Sequence, residues 1–180
     1  MKIFDPEAYP YTPRFCEENI WKLAQALLSQ GFDRETLQVV FLSNRKRQVA
    51  LAWQKIAPPG RLLVWDYHVI LLASMENELY VFDFETRLGF PCQADWYFRK
   101  TLPEALVLLK HLRPSVRIIP ASSYLKRFCS DRSHMLGEVE PEDFPAWPPI
   151  CPVGESQRIL LAEYQDLDRE LGDGSIVICR

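Results

Sequence analysis

Three residue types that can perform thiol catalysis occur in this chain in the order cysteine, histidine, acid. Cys16 opens the segment CEENIWKL, His68 lies in WDYHV, and Asp83 lies in FDFET. The first N–H groups of a helix favour a thiolate, and a histidinium partner lowers the cysteine pKa further. A histidine oriented by an acid can then serve as both base and acid in acyl transfer. Each residue alone has an ordinary structural alternative, so the ordered set is a hypothesis of catalysis.

Composition predicts a single domain spanning residues 1–180. Hydrophobic residues make up 48% of the chain, which suffices for one core of ordinary domain size. The net charge is -3 and the longest basic run is the triplet at 45–47. The electrostatic footprint of a nucleic-acid-binding protein is therefore absent.

The opening residues and the cysteines bear on the cellular compartment. The opening segment MKIFDP lacks the apolar core of a signal peptide. No apolar run approaches the roughly 18–20 residues that span a membrane. We therefore expect a soluble, intracellular protein that contacts no membrane. Because the cysteines have no short paired spacing, a disulfide framework and a zinc site are disfavoured, and most should be buried thiols; they are Cys16, Cys92, Cys129, Cys151 and Cys179.

The first 29 residues should form an extended arm followed by a helix. Prolines at positions 6, 10 and 13 exclude a helix from the arm, residues 1–15. Apolar residues at three- and four-residue steps predict a helix from about Pro13 to Ser29, with Thr12 as a possible N-cap and Gly31 at the C-terminal stop. This places Cys16 in the first turns.

Strands rich in β-branched and aromatic residues should follow the helix. Leu37–Ser43 and Gln48–Gln54 flank a polar turn and are typical of a hairpin. After Pro58-Pro59-Gly60, a long strand Leu62–Ala73 should return as Glu78–Phe84. Alternation predicts two faces for the long strand, one with Asp66, His68 and Ile70 and the other with Trp65, Tyr67 and Val69.

The turn between these two strands decides whether His68 can reach an acid. A turn centred between Met75 and Glu76 places His68 directly opposite Asp83 on the same face. Side chains so paired have Cβ atoms about 4.5–5.5 Å apart, close enough for an imidazole to bond a carboxylate. A slip of one residue would separate them.

The remaining chain predicts an α+β fold with an antiparallel sheet flanked by helices. A second amphipathic helix and a later helix alternate with short strands and a proline-rich surface loop. These elements are the helix Thr101–Leu112, the strand Val116–Pro120, a helical or irregular segment 122–135, the loop Pro141–Pro152, the helix Gln157–Leu171 and the strand Ser175–Cys179.

Five motifs together resemble the protein N-terminal glutamine amidohydrolase family over nearly the whole chain. The combination of WDYHV with SDRSHM is specific, and the motifs keep the order and approximate spacing of the family. They are CEEN at 16–19, WDYHV at 65–69, FPC at 90–92, SYLK at 123–126 and SDRSHM at 130–135. The amino-terminal arm is short for the family, and the residues RLG at 87–89 differ from the sequence that the family usually has there. These departures leave the substrate range and the peripheral contacts undetermined.

The resemblance implies an enzyme that converts an N-terminal glutamine of a protein to glutamate with release of ammonia, feeding an N-degron pathway. It implies a triad of Cys16, His68 and Asp83 on a scaffold similar to papain and transglutaminase. It further implies a monomer in the cytoplasm, also nuclear if the source is eukaryotic, that needs no cofactor or metal. His134 of the SDRSHM motif would be structural, because the triad is complete without it.

Selectivity for a chain terminus requires a partner for the free α-ammonium. A carboxylate in a partly desolvated pocket would pair with this cation and reject an internal glutamine. The sequence offers Glu17, Glu18, Asp66 and Asp131. Two other functions stay open: a transglutaminase or thiol protease on the same scaffold, and a non-catalytic module that binds protein N-termini.

Overall fold

The computed structural model describes residues 4–102, 109–152 and 158–178, and a six-stranded sheet lies at their centre. Numbered in chain order, the strands are β1 (Leu37–Ser43), β2 (Val49–Leu51), β3 (Leu63–Trp65), β4 (His68–Met75), β5 (Glu78–Phe82), β6 (Cys92–Gln93), β7 (Ser115–Pro120), β8 (Phe128–Cys129), β9 (Ile159–Leu160) and β10 (Ile176–Ile178). The central sheet has the order β10-β7-β1-β4-β5-β6 with antiparallel neighbours. Strands β2 and β3 form a separate antiparallel pair, and β8 and β9 a parallel pair.

Helices cover both faces of this sheet, which confirms the α+β prediction. They are α1 (Cys16–Ser29), α2 (Ala94–Thr101), α3 (Ala121–Arg127) and α4 (Leu161–Gln165). One core joins Leu23 of α1 to Val69 of β4, and the other joins Ile70 to Tyr97 of α2. Because side chains alternate along β4, a single strand supplies both cores. No helix in the described ranges is long and apolar enough to cross a membrane.

Helix α1 begins three residues later than predicted, at Cys16. Arg14 has a left-handed φ of 71°, which a helix cannot contain. Thr12 is not the N-cap. The N-cap is Phe15, and the Asn19 side chain instead bonds the backbone N–H and C=O of Thr12 at 2.9 and 2.7 Å. Gly31 follows the C-cap with a φ of +91°, as predicted for the helix stop.

The β4–β5 hairpin has a tighter turn than predicted. Met75 pairs with Glu78, so only Glu76 and Asn77 form the turn, both with positive φ. The observed register is therefore shifted by two residues from the predicted one. Since side chains alternate with a period of two, this shift leaves the faces unchanged. Asp83 follows the end of β5 at Phe82 and still lies on the side of His68.

The predicted long strand Leu62–Ala73 is interrupted at Asp66 and Tyr67. Strand β3 pairs with β2, whereas β4 belongs to the central sheet. This break turns Trp65 onto the face of His68, where the two rings stack with centroids 5.2 Å apart. The prediction that Trp65 and His68 lie on different faces of the strand is wrong for this reason.

The predicted hairpin of Leu37–Ser43 with Gln48–Gln54 is also wrong. Strand β1 has β4 and β7 as its neighbours, so neither edge is left for β2. The polar turn is real and is held by the Asn44 side chain, which accepts hydrogen bonds from the N–H groups of Lys46 and Gln48. Its role is to direct the chain out of the central sheet.

The predicted helix Thr101–Leu112 does not begin at Thr101. Thr101 is the last residue of α2, and residues 103–108 lie outside the described ranges. Lys110–Leu112 forms one 3-10 turn. The strand Val116–Pro120 is confirmed as β7.

The last predicted elements are shorter in the structure. Within the predicted helix Gln157–Leu171, residue 157 is outside the described ranges and the helical part is α4, five residues long. Strand β10 occupies the predicted closing strand Ser175–Cys179, of which Cys179 also lies outside the described residues.

Two cysteines expected as thiols form a disulfide, Cys129–Cys151. The bond closes a loop that leaves the sheet region at β8 and returns at Ile150, whose carbonyl accepts the Ser130 N–H at 2.6 Å. The two cysteines are 22 positions apart in the sequence, so no local motif predicts the bond. Cys16 and Cys92 are free thiols, and Cys92 is buried as predicted.

Candidate active site

His68 and Asp83 form a fully buried pair at the start of β4 and the end of β5. Nε2 of His68 lies 2.9 Å from Oδ1 of Asp83, and each side chain is 1% exposed. Asp83 is fixed by two further donors: the Glu85 N–H at 2.8 Å and the Tyr97 hydroxyl at 2.8 Å. The carboxylate therefore has one orientation, which in turn orients the imidazole.

The pair favours its charged form. Burial alone would lower the pKa of His68, but the charge and hydrogen bond of Asp83 outweigh it and raise that pKa. Burial alone would raise the pKa of Asp83, but the His68 charge and the hydrogen bonds from His68, Glu85 and Tyr97 lower it. An imidazolium formed during a reaction is thus stabilised at this position.

The other ring nitrogen of His68 is left for proton exchange. Nδ1 is buried and has no hydrogen-bond partner among the described residues. Nε2 is occupied by Asp83, and Trp65 covers the ring by stacking. A base held at one nitrogen and unoccupied at the other is the arrangement that general acid–base catalysis requires.

Cys16 is the first residue of α1 and is partly buried beside β4. The backbone N–H of Val69, the residue after His68, favours a negative charge on its sulfur. The sulfur also lies 3.6 Å from Oε2 of Glu17. Burial and the Glu17 charge raise the pKa of the Cys16 thiol well above its ordinary value, although the Val69 N–H opposes them. The expectation of a lowered cysteine pKa is wrong for this arrangement, because burial and the neighbouring carboxylates outweigh the helix start.

Cys16 opens onto a cleft of about 590 Å³. Its walls include the end of β3 with the connection to β4, the loop closed by the disulfide, and residues of the arm and of the segments on either side of β2. The lining residues are Arg14, Cys16, Arg47, Ile56, Trp65, Asp66, Tyr67, His134, Met135 and Glu138. The cleft thus gives access to the Cys16 sulfur, and both acidic and basic side chains line it.

The structure separates the four acidic candidates for ammonium binding. Asp66 is exposed and lines the cleft, and its carboxylate accepts the Tyr67 N–H at 3.0 Å. Asp131 is exposed but does not line the cleft, and its Oδ1 accepts both the N–H and the hydroxyl of Ser133. Glu17 and Glu18 are fully buried.

Glu18 is committed to a buried ion pair. Arg132 donates to both of its carboxylate oxygens, at 2.9 and 2.7 Å, and Trp147 Nε1 donates at 2.7 Å. Arg132 also binds the carbonyls of Pro145 and Trp147. Glu18 therefore connects α1 to the disulfide-closed loop, and both of its carboxylate oxygens already accept hydrogen bonds.

The sequence is similar to proteins of one known family. The model of the family described as N-terminal glutamine amidase matches residues 11–178. The chain belongs to the N-terminal glutamine amidase family. It is 36% identical over 174 residues to the protein N-terminal glutamine amidohydrolase of Danio rerio, covering 92% of this chain and 83% of the relative. The Homo sapiens protein of that name is 32% identical, covering 94% and 84%, and that of Arabidopsis thaliana 34%, covering 89% and 76%.

Sequence reasoning missed two supports of the site in this amidase-family chain. Tyr97 anchors Asp83 from α2, a contact that no motif encodes. Glu85 is buried and accepts a hydrogen bond from the Tyr11 hydroxyl. Burial and Glu85 together raise the pKa of Tyr11. Glu85 was detectable in principle, because it lies two residues after Asp83 in an acid-rich motif.

A metal site is not evident in the part of the chain that the structure describes. No group of three His, Cys, Asp or Glu side chains there could hold an ion. The buried histidine and carboxylate are already paired with each other. The arrangement is suited to acid–base and nucleophilic chemistry by side chains.

Replacing Arg132 by methionine should lower the free energy of unfolding by about 3–5 kcal/mol, because it leaves the Glu18 carboxylate buried and unpaired. Urea denaturation followed by circular dichroism measures the change. Arg34→Met, at an exposed position, is the control and should change stability by less than about 0.5 kcal/mol. Adding Glu18→Gln to Arg132→Met should restore part of the loss. A loss no greater than that of the control would contradict the structural role of this pair.

Proposed function

We propose that this protein hydrolyses the side-chain amide of an N-terminal glutamine in proteins and peptides, giving N-terminal glutamate and ammonia. Membership of the N-terminal glutamine amidase family supports the substrate. The observation that carries the chemistry is the buried His68–Asp83 pair with an unoccupied Nδ1, next to the strand position that contacts Cys16. The product would enter an N-degron pathway.

Acylation transfers one proton and exchanges one bond. The Cys16 sulfur attacks the carboxamide carbon as its proton passes to Nδ1 of His68. The C–N bond then breaks, and the imidazolium gives the same proton to the departing nitrogen, which leaves as ammonia. Asp83 stabilises the imidazolium between these events and keeps the ring in one tautomer.

In the hydrolysis of the thioester, His68 first takes a proton from water and then gives a proton to the departing sulfur. Water attacks the acyl carbon while Nδ1 of His68 takes its proton, and the C–S bond breaks to return the thiol. Both steps develop negative charge on the acyl oxygen. The backbone N–H of Cys16 is our candidate donor to that oxygen, because the first N–H groups of a helix have no partner within it.

Asp66 is the residue that we assign to the substrate α-ammonium. It is the one acidic sequence candidate that is both exposed and part of the cleft lining. Glu17 and Glu18 are buried, and Asp131 lies off the cleft. A carboxylate that pairs with the ammonium also excludes internal glutamines, which carry no charge at this position.

Acetylation of the substrate amine should lower kcat/KM by about tenfold to a hundredfold, since it removes a charged hydrogen bond. N-terminal asparagine should also be a poor substrate, because its amide is one methylene closer to the anchored amine. The measurement is ammonia release and product mass with a Gln-peptide, its acetylated twin, an Asn-peptide and an internal Gln. Asp66→Asn should largely abolish the difference between free and acetylated peptides.

Asp131→Asn is the matched comparison and should preserve the discrimination. Equal rates on free, acetylated and internal Gln would contradict terminal specificity. The same assay separates the other functions. Amine cross-linking would indicate a transglutaminase, backbone cleavage a protease, and binding without covalent change a recognition module.

The proposed enzyme works as a single-domain monomer in the cytoplasm, and also in the nucleus if the source is eukaryotic. Light scattering at assay concentration tests the oligomeric state.

A further inference from the structure

The Cys16 thiol is hydrogen-bonded to Glu17 and not to His68. In the structure the sulfur donates to Oε2 of Glu17 at 3.6 Å, whereas Nδ1 of His68 accepts no hydrogen bond from any described residue. Catalysis needs that proton on His68. The structure therefore shows the thiol bonded to the acceptor that the reaction does not use.

Glu17 is a strong acceptor because it is poorly solvated. It is fully buried, and its Oε2 is shared by Cys16 and the Tyr67 hydroxyl, the latter at 2.8 Å. Its Oε1 is buried without a hydrogen bond, and Nε2 of His134 lies 3.5 Å from it. A buried carboxylate oxygen with so few partners is a strong hydrogen-bond acceptor.

The groups around Cys16 come from several elements. Three carboxylates, Glu17, Asp66 and Glu85, disfavour a negative charge on the sulfur. The titratable and charged groups that act on Cys16 or share its cleft are Glu17 of α1, Arg47 before β2, Asp66 and Tyr67 between β3 and β4, Glu85 after β5, Tyr11 and Arg14 of the arm, Tyr124 of α3, and His134 and Glu138 of the disulfide-closed loop. His68 lies one residue before Val69, whose backbone N–H acts on the sulfur. A cation that pairs with Asp66 would offset one of the three.

We propose that Glu17 is a positioning residue that holds the Cys16 thiol proton away from His68 until the α-ammonium of a substrate enters the cleft beside Asp66. This deepens the proposed function and rests on it. Recognition of the terminus then acts on the rate of acylation as well as on binding. In the absence of substrate the nucleophile stays a thiol, which reacts slowly with electrophiles.

Alkylation of Cys16 by iodoacetamide tests the hold of Glu17 without any turnover. Rates are followed from pH 6 to 9 with modification located by peptide mass, and buried Cys92 gives an internal reference. Glu17→Gln removes the charge but keeps the shape, and should speed alkylation at pH 7 about tenfold, the effect of one pKa unit. Tyr67→Phe removes the competing donor to Oε2 and should slow it. Glu35→Gln, at an exposed site, should leave the rate unchanged.

The trigger is tested in the wild-type protein, which avoids any folding defect in a variant. A peptide with N-terminal glycine supplies the ammonium and leaves the space for the glutamine side chain open. It should speed Cys16 alkylation about threefold or more, a partial offset of one charge. Its acetylated twin should not.

The outcomes separate the two ideas. An unchanged or slower alkylation rate in folded Glu17→Gln, or equal effects of the two glycine peptides, would overturn the role of Glu17. Ammonia release from a Gln-peptide is measured in parallel. Its absence would overturn the proposed function, whereas its presence with unchanged alkylation would overturn only this inference.

Discussion

Cys16→Ala should abolish ammonia release from a Gln-peptide, with kcat falling by about ten-thousandfold or more. A methyl group cannot form the thioester, and no other free thiol in the described ranges lines the cleft. Cys16→Ser should be inactive as well, because an unactivated hydroxyl does not replace the sulfur. The measurement is ammonia release with circular dichroism to verify that the variants are folded.

Cys92→Ala is the matched control for the nucleophile. Cys92 is the second free thiol that the structure describes, buried against the other face of the sheet. Its replacement should leave turnover within about twofold of wild type, apart from any loss of stability from the small cavity. Near-normal activity of either Cys16 variant would move the nucleophile elsewhere.

Asp83→Asn should lower kcat by about a hundredfold to ten-thousandfold. The amide cannot supply the negative charge that stabilises the imidazolium, and it favours the wrong tautomer of His68. Asp83 raises the pKa of His68, so its neutralisation should lower that pKa. The acid limb of kcat/KM, where protonation removes the base, should therefore move to lower pH. A pH profile of ammonia release measures both effects.

Tyr97→Phe is the comparison for Asp83. It removes one hydrogen bond to the carboxylate but leaves the charge, so the loss in kcat should be under about tenfold. The acid limb should move slightly to higher pH, because a less stabilised carboxylate attracts the proton of His68 more strongly. Equal losses in Asp83→Asn and Tyr97→Phe would argue that Asp83 acts only through packing.

Local patterns were sufficient to predict the contact between His68 and Asp83. Period-two alternation puts both side chains on one face, and that prediction tolerates the two-residue error in register. The helix start near Cys16 followed from the prolines before it and the apolar period after it. The catalytic roles of these three residues remain predictions.

Long-range contacts could not be predicted from local patterns. Glu18 and Arg132 are 114 residues apart, and the partners of the disulfide share no spacing motif. Burial was equally hidden. The Cys16 pKa is raised by burial of the sulfur and by carboxylates from three segments around it, and both exist only in the folded chain.

The hairpin that carries His68 and Asp83 also simplifies how the site is assembled. These two residues have a fixed relative position, because neighbouring strands and a turn of two residues connect them. Cys16 belongs to helix α1, which rests on β4 through residues such as Leu23 and Val69. The relative position of Cys16, His68 and Asp83 is therefore set by how helix α1 packs on the hairpin. The thickness of the packed layer between α1 and β4 sets the reach from sulfur to imidazole, so the apolar core there governs reaction geometry as well as stability.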